Sequence, residues 1–130
     1  MDDAHTPPAL TLARPLVALD IESTGPNPET DRIIELALVT MQPDGQRTVR
    51  RWYTHPGCPI PPASTAVHGI TDEQIAGAQP FEAYAADIAA ALTGCDLTGY
   101  NLRAFDLVIL RREFERADVA WPCDGARVVD

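Results

Sequence analysis

Short apolar runs separated by turn-forming residues set the organisation of this chain. Residues 15–21 form an apolar run that ends among carboxylates, the pattern of a buried strand emerging at its C-terminal end. Gly25-Pro26-Asn27-Pro28 predicts a loop. Residues 32–41 form a second β-rich run closed by Pro43-Asp44-Gly45, whose Asp-Gly step predicts a hairpin into a third, antiparallel strand over residues 47–54. The proline-rich residues 56–62 read as a connection. Thr71-Asp72-Glu73-Gln74 matches a capping box, and Pro80 opens an alanine-rich helix over residues 81–92 that Gly94 ends. Residues 96–100 form a short strand, and Asn101 is placed to cap a helix running to about residue 117. In that helix Leu107, Leu110, Phe114 and Ala117 recur at three- and four-residue steps. Residues 127–130 start a further strand. Residues 1–14 carry little pattern and read as a flexible leader, which leaves 15–130 as one domain. Three strands, helices, strand, helix and strand, without an internal repeat, predict an α/β layer fold.

Composition changes this picture in three ways. A chain of 130 residues with 45% hydrophobic residues holds one small domain with a packed core. Its apolar runs are too short to cross a bilayer. The acidic start Met1-Asp2-Asp3-Ala4-His5 lacks the basic, then apolar, pattern of a secretory signal, so a cytoplasmic protein with no membrane association is expected. Cys58, Cys95 and Cys123 are odd in number and form no C-x-x-C pair, which fits reduced thiols better than disulfides or zinc. The formal net charge of −9 argues against a broad polyanion-binding surface. Two features soften that argument. Carboxylates that hold cations are compensated by them. The ten basic residues are all arginine, and seven of them cluster as Arg47, Arg50 and Arg51 and as Arg103, Arg111, Arg112 and Arg116. Each of these also fits a solvated face of a strand or helix.

The chemistry begins with Asp20 and Glu22. Residues two apart on a strand face the same way, so both carboxylates leave the end of an apolar strand together. Held close they repel, and a divalent cation such as Mg²⁺ or Mn²⁺ relieves that repulsion with hard oxygen ligands. The same D-x-E also fits a strand that ends at the surface with two solvated acids. Asp106, just beyond a second strand end, is favoured by the helix dipole whether or not it serves a site. Functional residues nevertheless gather at strand ends on one edge of an α/β sheet. Ser23 has no base near it in sequence and reads as loop. His5 and His55 read as surface residues.

Asp20-Ile21-Glu22-Ser23-Thr24-Gly25 with Arg32-Ile33-Ile34-Glu35 resembles the first exonuclease motif of the DEDD superfamily of 3′→5′ exonucleases, of the proofreading epsilon-subunit type. Val67-His68-Gly69-Ile70-Thr71 is similar to a segment in the same place in that family, and Gly99-Tyr100-Asn101 with Phe105-Asp106 is similar to the second motif. The resemblance covers about residues 15–130 and implies an RNase H-like fold, a mixed five-stranded sheet flanked by helices. It implies Asp20, Glu22 and Asp106 as catalytic residues holding two Mg²⁺ or Mn²⁺ ions. It places Thr24 and Gly25 near the 3′-terminal nucleotide, Asn101 beside the substrate or ordering the site, and His68 in a substrate-side or structural role. The implied substrate is the 3′ end of single-stranded DNA or RNA, with a polymerase or a second copy of the chain as possible partner. The family pattern goes on to a third motif, with a histidine or tyrosine and a fourth aspartate on a further helix. No His-x₄-Asp follows here, and Asp130 matches only an acid that precedes that helix. The expectation is therefore a partial domain lacking its last helix and weakened or inactive as it stands. The alternative is a non-catalytic module that binds nucleic acid or protein on the same scaffold. A purely acidic interaction domain is disfavoured, because Asp20, Glu22 and Asp106 are all present.

Overall fold

The computed structural model describes residues 12–130. The leader expected over residues 1–14 falls outside them as far as residue 11, and His5 with it. Five strands, β1 (Leu16–Ser23), β2 (Ile33–Met41), β3 (Arg47–Tyr53), β4 (Asp96–Thr98) and β5 (Val128–Val129), form one sheet in the order β3-β2-β1-β4-β5. β1 pairs antiparallel with β2 and parallel with β4, β2 pairs antiparallel with β3, and β4 pairs parallel with β5. The sheet is therefore mixed, with β1 at its centre.

Period-two alternation builds the core. Val17, Leu19 and Ile21 of β1 and Leu36 and Leu38 of β2 are buried on one face. They pack in one cluster with Phe81, Ala85, Ile88 and Leu92 of α3 (Phe81–Leu92) and Ile109, Leu110 and Phe114 of α4 (Leu107–Arg116). Phe114 meets Phe81 edge-on at 5.4 Å and Trp121 at 5.9 Å. Side chains of this kind each contribute roughly 1.5–3 kcal/mol on burial. The hairpin between β2 and β3 forms as expected, with Gly45 at φ +92° and the Gln42 N–H donating to Gln46 O at 2.8 Å. The capping box also closes, with Thr71 N–H donating to Gln74 Oε1 at 2.8 Å and Gln74 N–H to Thr71 Oγ1 at 3.3 Å, opening the short α2 (Asp72–Ile75).

Two local expectations fail. Residues 56–62 are not wholly a connection, since Pro62 starts α1 (Pro62–His68). Proline is tolerated in a first helical turn, where its missing N–H has no intrahelical partner to lose. Asn101 does not cap the following helix: it sits at φ 58° and makes no side-chain cap bond. The cap is Asp130 at the end of β5, whose carboxylate accepts from Leu102 N–H at 2.8 Å and Arg103 N–H at 2.9 Å. Those two bonds hold the Asp130 carboxyl below the usual carboxylate range.

The placing of the site depends on β1 outrunning β4. β4 pairs only with Leu16, Val17 and Ala18, while β2 follows β1 as far as Ser23. From Leu19 onward one edge of β1 is open. The chain leaves β4 through Gly99, where a Cβ would lie 2.7 Å from both Leu19 O and the Leu102 side chain, so no larger residue fits. A single π-helical turn, Leu102–Asp106, then leads into α4. On the other side of β1 the register shifts between Glu22 and Ser23. That irregularity sends Ile33 into the main core and Ile34 into a second cluster with Ile60, Ile70 and Ile75. Among the described residues no helix is long and apolar enough to cross a membrane.

Candidate active site

Asp20 and Glu22 stand on the outward face of β1, Asp20 exposed and Glu22 half-buried, while Leu19 and Ile21 between and beside them point into the core. Glu22 lies opposite Glu35 of β2. Its carboxyl is raised above the usual range by burial first and by Asp20 second, with His68 opposing and Glu35 adding to the shift. Glu35 is drawn toward Arg51 at 3.0 Å.

Asp106 ends the π-helical turn and is 6% exposed. Its Oδ2 accepts from Ile21 N–H at 3.1 Å, on the stretch of β1 that β4 does not reach. Burial pushes its carboxyl up to about 7, opposed by the Ile21 N–H and reinforced by Asp20 and Glu22. The three acids singled out in the sequence thus meet around the open end of β1. They do not close on one point: among the described residues no three His, Cys, Asp or Glu side chains are grouped to hold a metal ion. Asp106 is turned to the backbone instead. The donor set still fits a hard divalent cation, because desolvated, mutually repelling carboxylates are what such an ion compensates.

Beside Glu22 lies a cavity of about 360 Å³ walled by Ser23, Gly25, Ala63, Val67 and Phe105. Gly25 belongs to its wall, and a Cβ there would fall 2.6 Å from Asp31 Oδ2. Thr24 does not line it. The Thr24 hydroxyl donates to Asp31 Oδ1 at 2.9 Å and accepts from Arg32 N–H at 3.0 Å, and its carbonyl accepts from Ser64 Oγ at 2.5 Å. Thr24 therefore shapes the loop behind the wall. His68 does face the cavity. Its Nδ1 accepts from Ile70 N–H at 3.1 Å, which leaves the ring proton on Nε2 to donate to Ser23 O at 3.1 Å. Both ring nitrogens are thus committed to backbone.

The remaining candidates are placed as follows. Asn101 is exposed, and its carbonyl accepts from Phe105 N–H at 3.1 Å. Ser23 is buried as the last residue of β1, and its hydroxyl donates to Gly25 O at 2.6 Å, a loop contact rather than one to a base. His55 is half-buried and accepts from Gly57 N–H through Nδ1, a local bond at the surface. All three cysteines are free, Cys58 exposed and Cys95 and Cys123 buried. Sequence reasoning missed Ala63 and the capping role of Asp130, and it named Val67 and Phe105 only as parts of motif segments, without a place in a cavity wall. Val67, 85% exposed in a helix with no buried residue, left no periodic signal to find.

A mixed sheet in this strand order, with acids gathered at the open end of its central strand, defines an RNase H-like nuclease domain. The chain belongs to the Exonuclease family (RNase_T), whose family model matches residues 17–128, and so to the DEDD class of 3′→5′ exonuclease domains. It is 33% identical over 108 residues to the 3′-5′ exonuclease DinG of Bacillus subtilis, covering 82% of this chain and 11% of DinG. It is 37% identical over 101 residues to a DNA polymerase III subunit epsilon-like protein of Rhodobacter capsulatus, covering 75% and 14%. Identity to the DNA polymerase III epsilon subunit of Treponema pallidum is 33% over 98 residues, covering 74% and 44%. The chain thus spans less than half the length of each of these relatives. Its fold matches E. coli exonuclease I in complex with a dT13 oligonucleotide, with a TM-score of 0.75 at 22% identity over 88% of this chain and 27% of that one. An exonuclease I structure in complex with SSB-Ct gives 0.78 at 21% identity, over 92% and 28%.

Proposed function

We propose that this chain hydrolyses phosphodiester bonds at the 3′ ends of single-stranded nucleic acid, using divalent cations held by Asp20, Glu22 and Asp106. The observation that carries the reading is the meeting of these three acids at the open end of β1, next to a nucleoside-sized cavity, in a member of the Exonuclease family. When bound, Mg²⁺ or Mn²⁺ supplies charge to the phosphoryl oxygens and lowers the pKa of water. The chain's own residues do the rest. Asp20 offers exposed oxygens, Glu22 stands between them and the cavity, and Asp106 is kept from swinging by the Ile21 N–H. Phe105 and Val67 give a terminal base apolar contact, and Gly25 lets Asp31 pack against the loop that forms the wall. His68 holds the wall and is not the general base, because its free lone pair is already used by Ile70 N–H. The oligonucleotide in the exonuclease I structure supports DNA as substrate, and the polymerase subunits among the relatives support a polymerase as partner. A second copy of the chain is the other partner class.

A non-catalytic binding module on the same scaffold is the second reading. The absence of a closed three-ligand group among the described residues favours it. Degradation of 5′-labelled single-stranded DNA and RNA with Mn²⁺, beside Asp20→Ala, separates the two. The first reading expects shortening from the 3′ end that the substitution abolishes. It also expects Mn²⁺ to raise the melting temperature, since a ligand at a hundred times its Kd adds about 2.7 kcal/mol, and Asp20→Ala to remove that rise. Binding without shortening, and an unchanged thermal shift in the variant, would establish the second reading.

A further inference from the structure

Glu113 is the most deeply buried charged side chain that the chemistry above does not use. It is 1% exposed. Its Oε2 accepts from Arg32 Nε at 3.0 Å and from Ile33 N–H at 3.0 Å, while its Oε1 has no hydrogen-bond partner among the described residues. Arg32 is also shared, with Pro56 O at 3.4 Å and Glu82 at 3.8 Å. A buried ion pair with an orphaned oxygen is a poor source of stability. A well-packed apolar pair of the same volume commonly serves as well or better, and the best-attested use of such pairs is to fix one arrangement over others.

The arrangement in question is visible in the helix. Glu113 lies in α4 seven residues beyond Asp106, which closes the π-helical turn leading into that helix, about two turns and roughly 10 Å along the axis. Each accepts a backbone N–H from a different strand at the edge of the site, Asp106 from Ile21 of β1 and Glu113 from Ile33 of β2. One such bond would leave the helix free to slide and turn about it, whereas two on neighbouring strands fix its position and rotation. Arg112 adds a third hold, donating to Pro28 O at 2.7 Å and Asp31 O at 3.1 Å in the loop that carries Gly25.

We infer that Glu113, through Arg32 and the Ile33 N–H, is a positioning residue that sets Asp106 against Asp20 and Glu22. The inference deepens the proposed function and rests on the role given there to Asp106. A displacement of about 1 Å at a reacting group costs on the order of 10²-fold in rate. Glu113→Gln in the 130-residue chain is therefore expected to lower kcat by about that factor, with KM for the oligonucleotide within about threefold of the parent. The apolar pair Arg32→Leu/Glu113→Met separates positioning from folding. It is expected to restore or exceed the parent melting temperature while kcat stays low. Recovery of kcat together with stability, or parent kcat in Glu113→Gln, would overturn the inference. If the parent chain hydrolyses nothing, the proposed function fails, and hydrogen exchange at the Ile21 amide then decides the positioning claim alone. Faster exchange at Ile21 in the stable double variant upholds it, and unchanged exchange overturns it.

Discussion

Asp106 is the residue at which folding and chemistry pull against each other. Its carboxyl is pushed up to about 7 by burial, in spite of the Ile21 N–H that favours the ionised form. The folded chain therefore binds that proton more tightly than the unfolded chain, whose aspartate titrates near its ordinary value of 3.8. Between those two values the native state holds more protons than the unfolded state, so stability falls as pH rises from about 4 to about 7 and levels off above. Asp106→Asn keeps an acceptor for the Ile21 N–H and removes the buried charge. In chelator-treated samples the variant is expected to lose this part of the decline in melting temperature and to exceed the parent at pH 8. A parent profile without that decline, or a variant that follows the parent's, would mean that Asp106 is better solvated than its burial indicates. A divalent cation reverses the sign by favouring the ionised form, so Mn²⁺ should stabilise the parent more at pH 8 than at pH 5.

At the scale of elements, what was legible in the sequence follows from whether the signal is local. β1, β2, β3 and α3 were legible because alternation, an Asp-Gly turn and an alanine-rich run each fix backbone shape within a few residues. The acids on β1 were legible for the same reason, since two residues apart on a strand means one face. α1 was not, because it buries no residue and so has no apolar period to read. The helix cap was misassigned to Asn101 because the residue that makes it, Asp130, lies 28 positions from Leu102 in sequence. The role of Glu113 depends on a contact 80 residues away. α1 is instead held by polar bonds, His68 to Ser23 O and Ile70 N–H and Ser64 to Thr24 O. Each such bond is worth about 1 kcal/mol net. His68→Ala removes two of them from a helix with no core contact. Amide exchange across Pro62–His68 is expected to accelerate, and KM for the oligonucleotide to rise severalfold while kcat changes little, because α1 forms the cavity wall and the hydrogen bonds of His68 run to backbone and not to an acid. An equal fall in kcat would instead place His68 in the reaction.

For the whole molecule, the proposed function raises the question of how a chain with net charge −9 would hold a polyanion. Most of its arginines are already engaged, several of them at the surface. Arg14, Arg32, Arg51, Arg103 and Arg112 are engaged in hydrogen bonds or ion pairs, and Arg50 and Arg111 lie over the rings of Trp52 and Trp121 at 4.6 and 4.1 Å. Three of the ten, Arg47, Arg116 and Arg127, have no such side-chain partner among the described residues. The acids at the end of β1 would repel the strand outright unless cations sat between them and it. Binding should therefore be local, confined to the last nucleotides, and dependent on the divalent ion more than on the surface. For single strands the logarithm of affinity falls with the logarithm of salt at about 0.7 per phosphate neutralised, so two or three contacts give a slope no steeper than about −2. Anisotropy titrations of a non-hydrolysable oligonucleotide against KCl, with and without Mn²⁺, test this. The expected outcome is weak binding with a shallow slope that disappears when the divalent ion is removed. A steep slope that persists in chelator would mean that the arginines of β3 and α4, and not the acids of β1, hold the strand.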